Sequence, residues 1–123
     1  MAVTFCTADQ VRDEAGSGRE TTDMDTAAIE HFINQAESYI CALTGVDYLG
    51  TYSSLGAITK LILNETTAVK AAMKVVKYNM DGYEGGLANS QSILDMLYTT
   101  FSDNIKLLIE KKATDYINAN TTN

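Results

Sequence analysis

The segment Thr26 to Gly45 constrains the fold more than any other part of the chain. Its apolar residues fall at Ile29, Phe32, Ile33, Ala36, Tyr39, Ile40 and Leu43. That is the i, i+3, i+4, i+7 spacing of one helical face, kept for about four turns. Gly45 closes the helix, since a left-handed C-terminal cap costs glycine no Cβ clash. Either Asp23 or Asp25 caps its start, and both place negative charge at the positive end of the helix dipole. A helix of this kind must bury its apolar face against the rest of the chain.

The other segments offer more helices. Thr7 and Gln10 have the spacing of a capping box, which opens a short helix running to Ala15 and stopping at Gly16. Val11 is its main apolar anchor. Residues 16–22 (GSGRETT) form a polar loop, and residues 46–54 a connector with Tyr48, Leu49 and Tyr52 as docking side chains. Leu55, Ile58, Leu61 and Ile62 return to helical spacing, although 57–63 is short enough to be misread as a strand. Asn64 either caps a new helix or is passed straight through. From Glu65 to Asp81 a helix is clear: Val69, Ala72, Met73, Val76 and Met80 make one face, which Ala68, Ala71, Val75 and Tyr78 widen. So broad a face suits a central helix with neighbours on two sides.

Residues 81–90 (DGYEGGLANS) break the chain with three glycines. Ser90 or Ser92 then caps a short helix with Ile93, Leu94, Leu97, Tyr98 and Phe101 inward. Ser102 caps a last helix whose stripe is Ile105, Leu108, Ile109, Ala113, Tyr116 and Ile117. Residues 118–123 read as a polar, frayed tail. The expected fold is all-α: one domain over residues 1–123, a small bundle of about five helices with a long second helix, a central helix and a C-terminal helix.

Little in the residue types points to chemistry. The chain has one histidine, His31, beside the apolar face of the second helix, so nucleophile–base pairs have little to draw on. Cys6 and Cys41 are too few and too far apart for a disulfide framework and read as small reduced hydrophobes. Residues 82–86 (GYEGG) lack the Lys-Ser/Thr of a phosphate cradle, and Asp13/Glu14 and Asp23/Asp25 fail the calcium-loop pattern. No catalytic residue, metal ligand or cofactor is expected, and the chain reads as a non-enzyme. No apolar run approaches the roughly 18–20 residues that span a membrane. The start of the chain lacks the basic and apolar regions of a secretory signal, so synthesis in a cytoplasm is expected.

Charge is the more informative property. The formal net charge is −7, and all of it lies in residues 1–50, where nine carboxylates face only Arg12 and Arg19. Residues 51–123 are neutral overall. Phosphate binding needs clustered lysine and arginine, so a nucleic-acid binder is disfavoured. Lys70, Lys74 and Lys77 follow helical spacing on the central helix, and Lys106, Lys111 and Lys112 decorate the last. These lysines form either a solvated face or one that meets the acidic first half of a neighbouring copy, with Asp23 and Asp25 among the acids.

The order of pieces resembles the head–tail connector proteins of long-tailed bacteriophages. The similarity lies in a short capped helix and a long helix ending Tyr39-Ile40-Cys41-Ala42-Leu43-Thr44-Gly45. A central helix of the type Val69 to Asn79 follows, then a glycine-rich loop and the segment Ser92 to Leu97. The chain departs from the pattern in Met80-Asp81, where family members often carry Arg-Glu, and in having no proline before the short segment. The resemblance implies a virion structural protein of the neck, at the head–tail interface. Such adaptors form a ring, usually of twelve copies, under the portal protein. They extend the DNA channel without sequence-specific binding, involve no membrane, and receive the next stopper or tail-completion protein. On this reading Lys111, Lys112, Tyr116 and Ile117 dock on the portal, while Lys70, Lys74, Lys77, Asp23 and Asp25 serve subunit contacts. The rival expectation is a small acidic helical interaction module of the immunity or anti-host type.

Overall fold

The computed structural model describes residues 5–16, 25–78 and 86–120, with side chains through residue 77 and again over 91–112. Regular structure within them is entirely helical. Helix α1 spans Ala8–Ala15, α2 Thr26–Thr44, and α3 Tyr48–Thr51, which runs into a 3-10 turn at Tyr52–Ser54. Helix α4 spans Ala57–Tyr78 and α5 Gly86–Asn120. The described residues therefore form an all-α bundle of five α-helices.

Local chemistry sets the first boundaries. The Thr7 hydroxyl accepts from the Gln10 N–H at 3.3 Å, and the Gln10 side chain accepts from the Thr7 N–H at 2.9 Å, closing the capping box. Asp25 is the cap of α2, accepting from the Ala27 N–H at 3.3 Å, whereas Asp23 lies outside the described residues. Gly45 takes φ 70°, ψ 25°, and its N–H donates to the Cys41 carbonyl at 2.9 Å. That left-handed position is where glycine is favoured.

Helix α4 is the centre of the bundle, with α1, α2 and α5 all packed on it. From Thr66 to Val76 it is buried on nearly every side, only Lys70 and Lys74 breaking the run. Against it lie Val11 and Ala15 of α1, Ile29, Ile33, Ala36 and Ile40 of α2, and Leu97, Phe101 and Leu108 of α5. Each of the larger aliphatic side chains contributes about 1.5–3 kcal/mol by leaving water. Asn64 does not start a helix. Its amide nitrogen donates to the Phe5 carbonyl at 2.8 Å and to Gln10 Oε1 at 3.0 Å, tying the N-terminal strap to α4.

That strap has a second tie. Glu37, in the middle of α2, is only 3% exposed and accepts from the Phe5 N–H at 2.9 Å. The Phe5 ring stacks on Tyr52 at 5.2 Å between centroids. Burial, and then the Glu37 carboxylate, pushes the neighbouring Cys6 thiol up to about 12.

Several expectations need correction. The short helix and the last helix are one: α5 continues through Ser90, Ser92 and Ser102, none of which caps it. No glycine or proline follows Gly86 to stop it, and a serine inside a helix costs only a few tenths of a kcal/mol. The buried face Leu97, Phe101, Asn104 and Leu108 keeps its spacing across the supposed break. The helix also includes residues 118–120, taken above as frayed; 121–123 lie outside the described residues. Tyr98 and Ile109 are 63% and 45% exposed. At about 100° per residue they sit roughly 90–110° from the centre of the buried stripe, on its flank. Tyr39 and Leu43 are likewise exposed at the edge of the α2 face, and of the three connector residues Tyr48 and Tyr52 pack on the core while Leu49 is exposed. Met80 and the side chains of Tyr78, Ala113, Tyr116 and Ile117 fall outside the described residues.

Candidate functional site

Two charged faces of opposite sign lie on different sides of α4. The first is built by Lys70, Lys74 and Lys77, at i, i+4 and i+7; Lys70 and Lys74 line an open groove of about 700 Å³ between α2 and α4, and Lys77 follows one turn further along α4. Aromatic rings lie against the groove's lysines. Tyr39 of α2 and Phe101 of α5 stack at 6.1 Å, and Lys70 Nζ lies 4.5 Å from the Tyr39 ring centre and 5.7 Å from that of Phe101. Lys74 Nζ donates to Gln35 Oε1 and lies 5.9 Å from the Phe32 ring. A cation over a ring face is worth about 0.5–1 kcal/mol at a surface, and the lysine stems cover apolar area besides. Burial, then Lys74 and Lys77, lowers the Lys70 ammonium below its ordinary pKa. Among the described residues no carboxylate pairs with these three lysines.

The second face joins α1 to α4. Asp13 and Glu14 lie in the last turn of α1, where Glu14 feels both Asp13 and, across the packing of α1 on α4, Glu65. The Glu14 carboxyl is raised by partial burial, then by Glu65, then by Asp13. Glu65 Oε1 accepts from Asn104 Nδ2 at 2.8 Å, and no described cation pairs with the three acids. Asp9, by contrast, pairs with Arg12 at 3.0 Å. From Glu65, the three lysines lie about 120–180° around the helix and roughly 8–18 Å along it.

At the other end of α4 its first turns expose Ile58 and Leu61, 72% and 69% accessible. On a different side of the same turns, Thr59 and Leu55 line a cavity of about 370 Å³ with Tyr48 and the exposed α5 residues Lys111 and Lys112. Lys112 Nζ donates to the Thr44 carbonyl at 3.0 Å, placing its charge at the negative end of the α2 dipole. The buried Thr59 hydroxyl has no hydrogen-bond partner.

The lysines expected at subunit contacts thus come together on one face. Asp25 is exposed and spends one carboxylate oxygen on capping α2. Of the expected portal-docking residues, Lys111 and Lys112 share the α4 end of the bundle; the side chains of Tyr116 and Ile117 are not among those described. Sequence reasoning missed the acidic face, because Glu65 is 51 positions from Glu14 and only the packing of α1 on α4 joins them. Ile58 and Leu61, placed by spacing with Leu55 and Ile62, are instead exposed, because the buried side of these turns is that of Thr59 and Leu63, with which they are out of phase. His31 is exposed at the rim of the lysine groove. Among the described residues no group of three His, Cys, Asp or Glu is placed to hold a metal ion, and no helix is long and apolar enough to cross a membrane. Comparison with protein-family models, with characterised proteins and with solved structures finds no match.

Proposed function

We propose that this chain is a head–tail connector: a virion neck protein that assembles as a ring under the portal, extends the DNA channel and offers a platform to the stopper or tail-completion protein. The observation that carries the reading is the α4 end of the bundle. There the first turns of α4 expose the apolar side chains of Ile58 and Leu61, while Thr59 of the same turns lines a cavity with Lys111 and Lys112. Exposed apolar groups rimmed by charge are typical of a surface that meets another protein. The helical architecture supports the same reading, since a ring needs only a rigid unit with two complementary patches.

The portal-docking surface then includes Ile58, Leu61 and Lys111, with Lys112 divided between docking and the α2 cap. Ile58→Asp and Leu61→Asp, both at exposed positions, test it without opening the core. The native protein should co-sediment with cognate portal rings, and the double variant should lose at least about tenfold in affinity while melting like the native chain. Undiminished binding by the double variant would remove these residues from the interface; a native protein that ignores the portal would remove the function. The acidic face of Asp13, Glu14 and Glu65 favours a second reading, an interaction module for a basic protein. That reading predicts a stable monomer with one tight soluble partner.

A further inference from the structure

We propose that the groove between α2 and α4 receives the acidic face of a second copy of this chain, with Lys70, Lys74 and Lys77 of one copy against Asp13, Glu14 and Glu65 of the next. The proposal rests on the ring reading for its setting and on the charge map for its content. Each face is a cluster of three like charges that the described residues leave unpaired. Like charges stand close together in both: Lys70, lowered first by burial, is lowered further by Lys74 and Lys77, and Glu14, raised first by burial, is raised further by Glu65 and Asp13. An arriving opposite charge relieves both kinds of crowding at once.

Geometry decides that the partner is another molecule. Cation and anion clusters point away from opposite sides of a single buried helix, so one copy cannot bring its own together. A contact between two different patches of the same chain is heterologous, and it repeats from copy to copy until the rotation closes it. The groove also offers more than charge. Gln35 and the Tyr39–Phe101 stack hold Lys70 and Lys74 in place, so less side-chain freedom is lost on docking.

The test is charge-swap complementation followed by sedimentation of the chain alone at low salt. One variant carries Lys70→Glu, Lys74→Glu and Lys77→Glu; the other carries Asp13→Lys, Glu14→Lys and Glu65→Lys. The native chain should associate with rising concentration and dissociate as salt is added. Each variant should associate at least about tenfold more weakly, because both of its faces now repel. An equimolar mixture should recover association, since every contact is again between opposite charges. Variants that associate like the native chain, a mixture that stays monomeric, or a native chain that is monomeric throughout would overturn the proposal. Should a triple variant fail to fold, Lys77→Glu and Asp13→Lys, both at exposed positions, are mixed in its place. Portal binding, measured separately, keeps the two readings apart. Recovered association without portal binding would sink the connector function alone, and portal binding without recovery would sink this pairing alone.

Discussion

Replacing Glu37 with alanine should cost about 3 kcal/mol. The carboxylate lies in the packed interior of α2, 3% exposed, and accepts from the Phe5 N–H at 2.9 Å. A hydrogen bond to a charged group is worth about 1.5–3 kcal/mol, and a buried N–H left without its acceptor carries a penalty of similar size. The lost methylenes add a small cavity cost. Glu37→Gln keeps an oxygen for Phe5 and should cost only about 1 kcal/mol. For a chain of this length the alanine variant's melting temperature should fall by about 10 °C. Urea unfolding gives the free energies, and amide exchange at Phe5 reads the strap itself, which should open in Glu37→Ala ahead of the α4 core. An alanine variant within about 0.5 kcal/mol of the native chain, or a glutamine variant as damaging as alanine, would refute the role given to this carboxylate.

Other consequences follow from single groups. Thr67 is fully buried and its hydroxyl has no partner, so Thr67→Val should raise stability by about 1 kcal/mol in urea. Gly45 holds φ 70°, and a Cβ there would lie 2.9 Å from Lys112 Nζ; Gly45→Ala should cost about 1 kcal/mol. Cys6 has an alkaline signature. Below its ordinary pKa of about 9 the thiol is protonated in both states, and above it the unfolded chain loses a proton that the folded chain keeps to about 12. Its contribution to stability should therefore fall with rising pH across that window, by about 1.4 kcal/mol per unit, and Cys6→Ala should flatten the slope.

Features fixed by neighbours along the chain were legible in the sequence. The Thr7–Gln10 box and the Gly45 cap depend on residues within one turn, and the structure has them as read. The lysine face was legible for the same reason, its members being one helical repeat apart. Continuity of α5 was not, because serine is compatible with both a cap and a helix interior, and only the packing of Phe101, Asn104 and Leu108 on α4 decides between them. The burial of Glu37 was not legible, since its partner is a backbone N–H 32 residues away. The acidic face was hidden likewise by its division between α1 and α4.

Electron microscopy of the protein mixed with its cognate portal rings tests the central claim most directly. A collar added to the portal, with the α4 end of each subunit against it, is the predicted image. Bare portal rings at saturating protein would contradict the connector function.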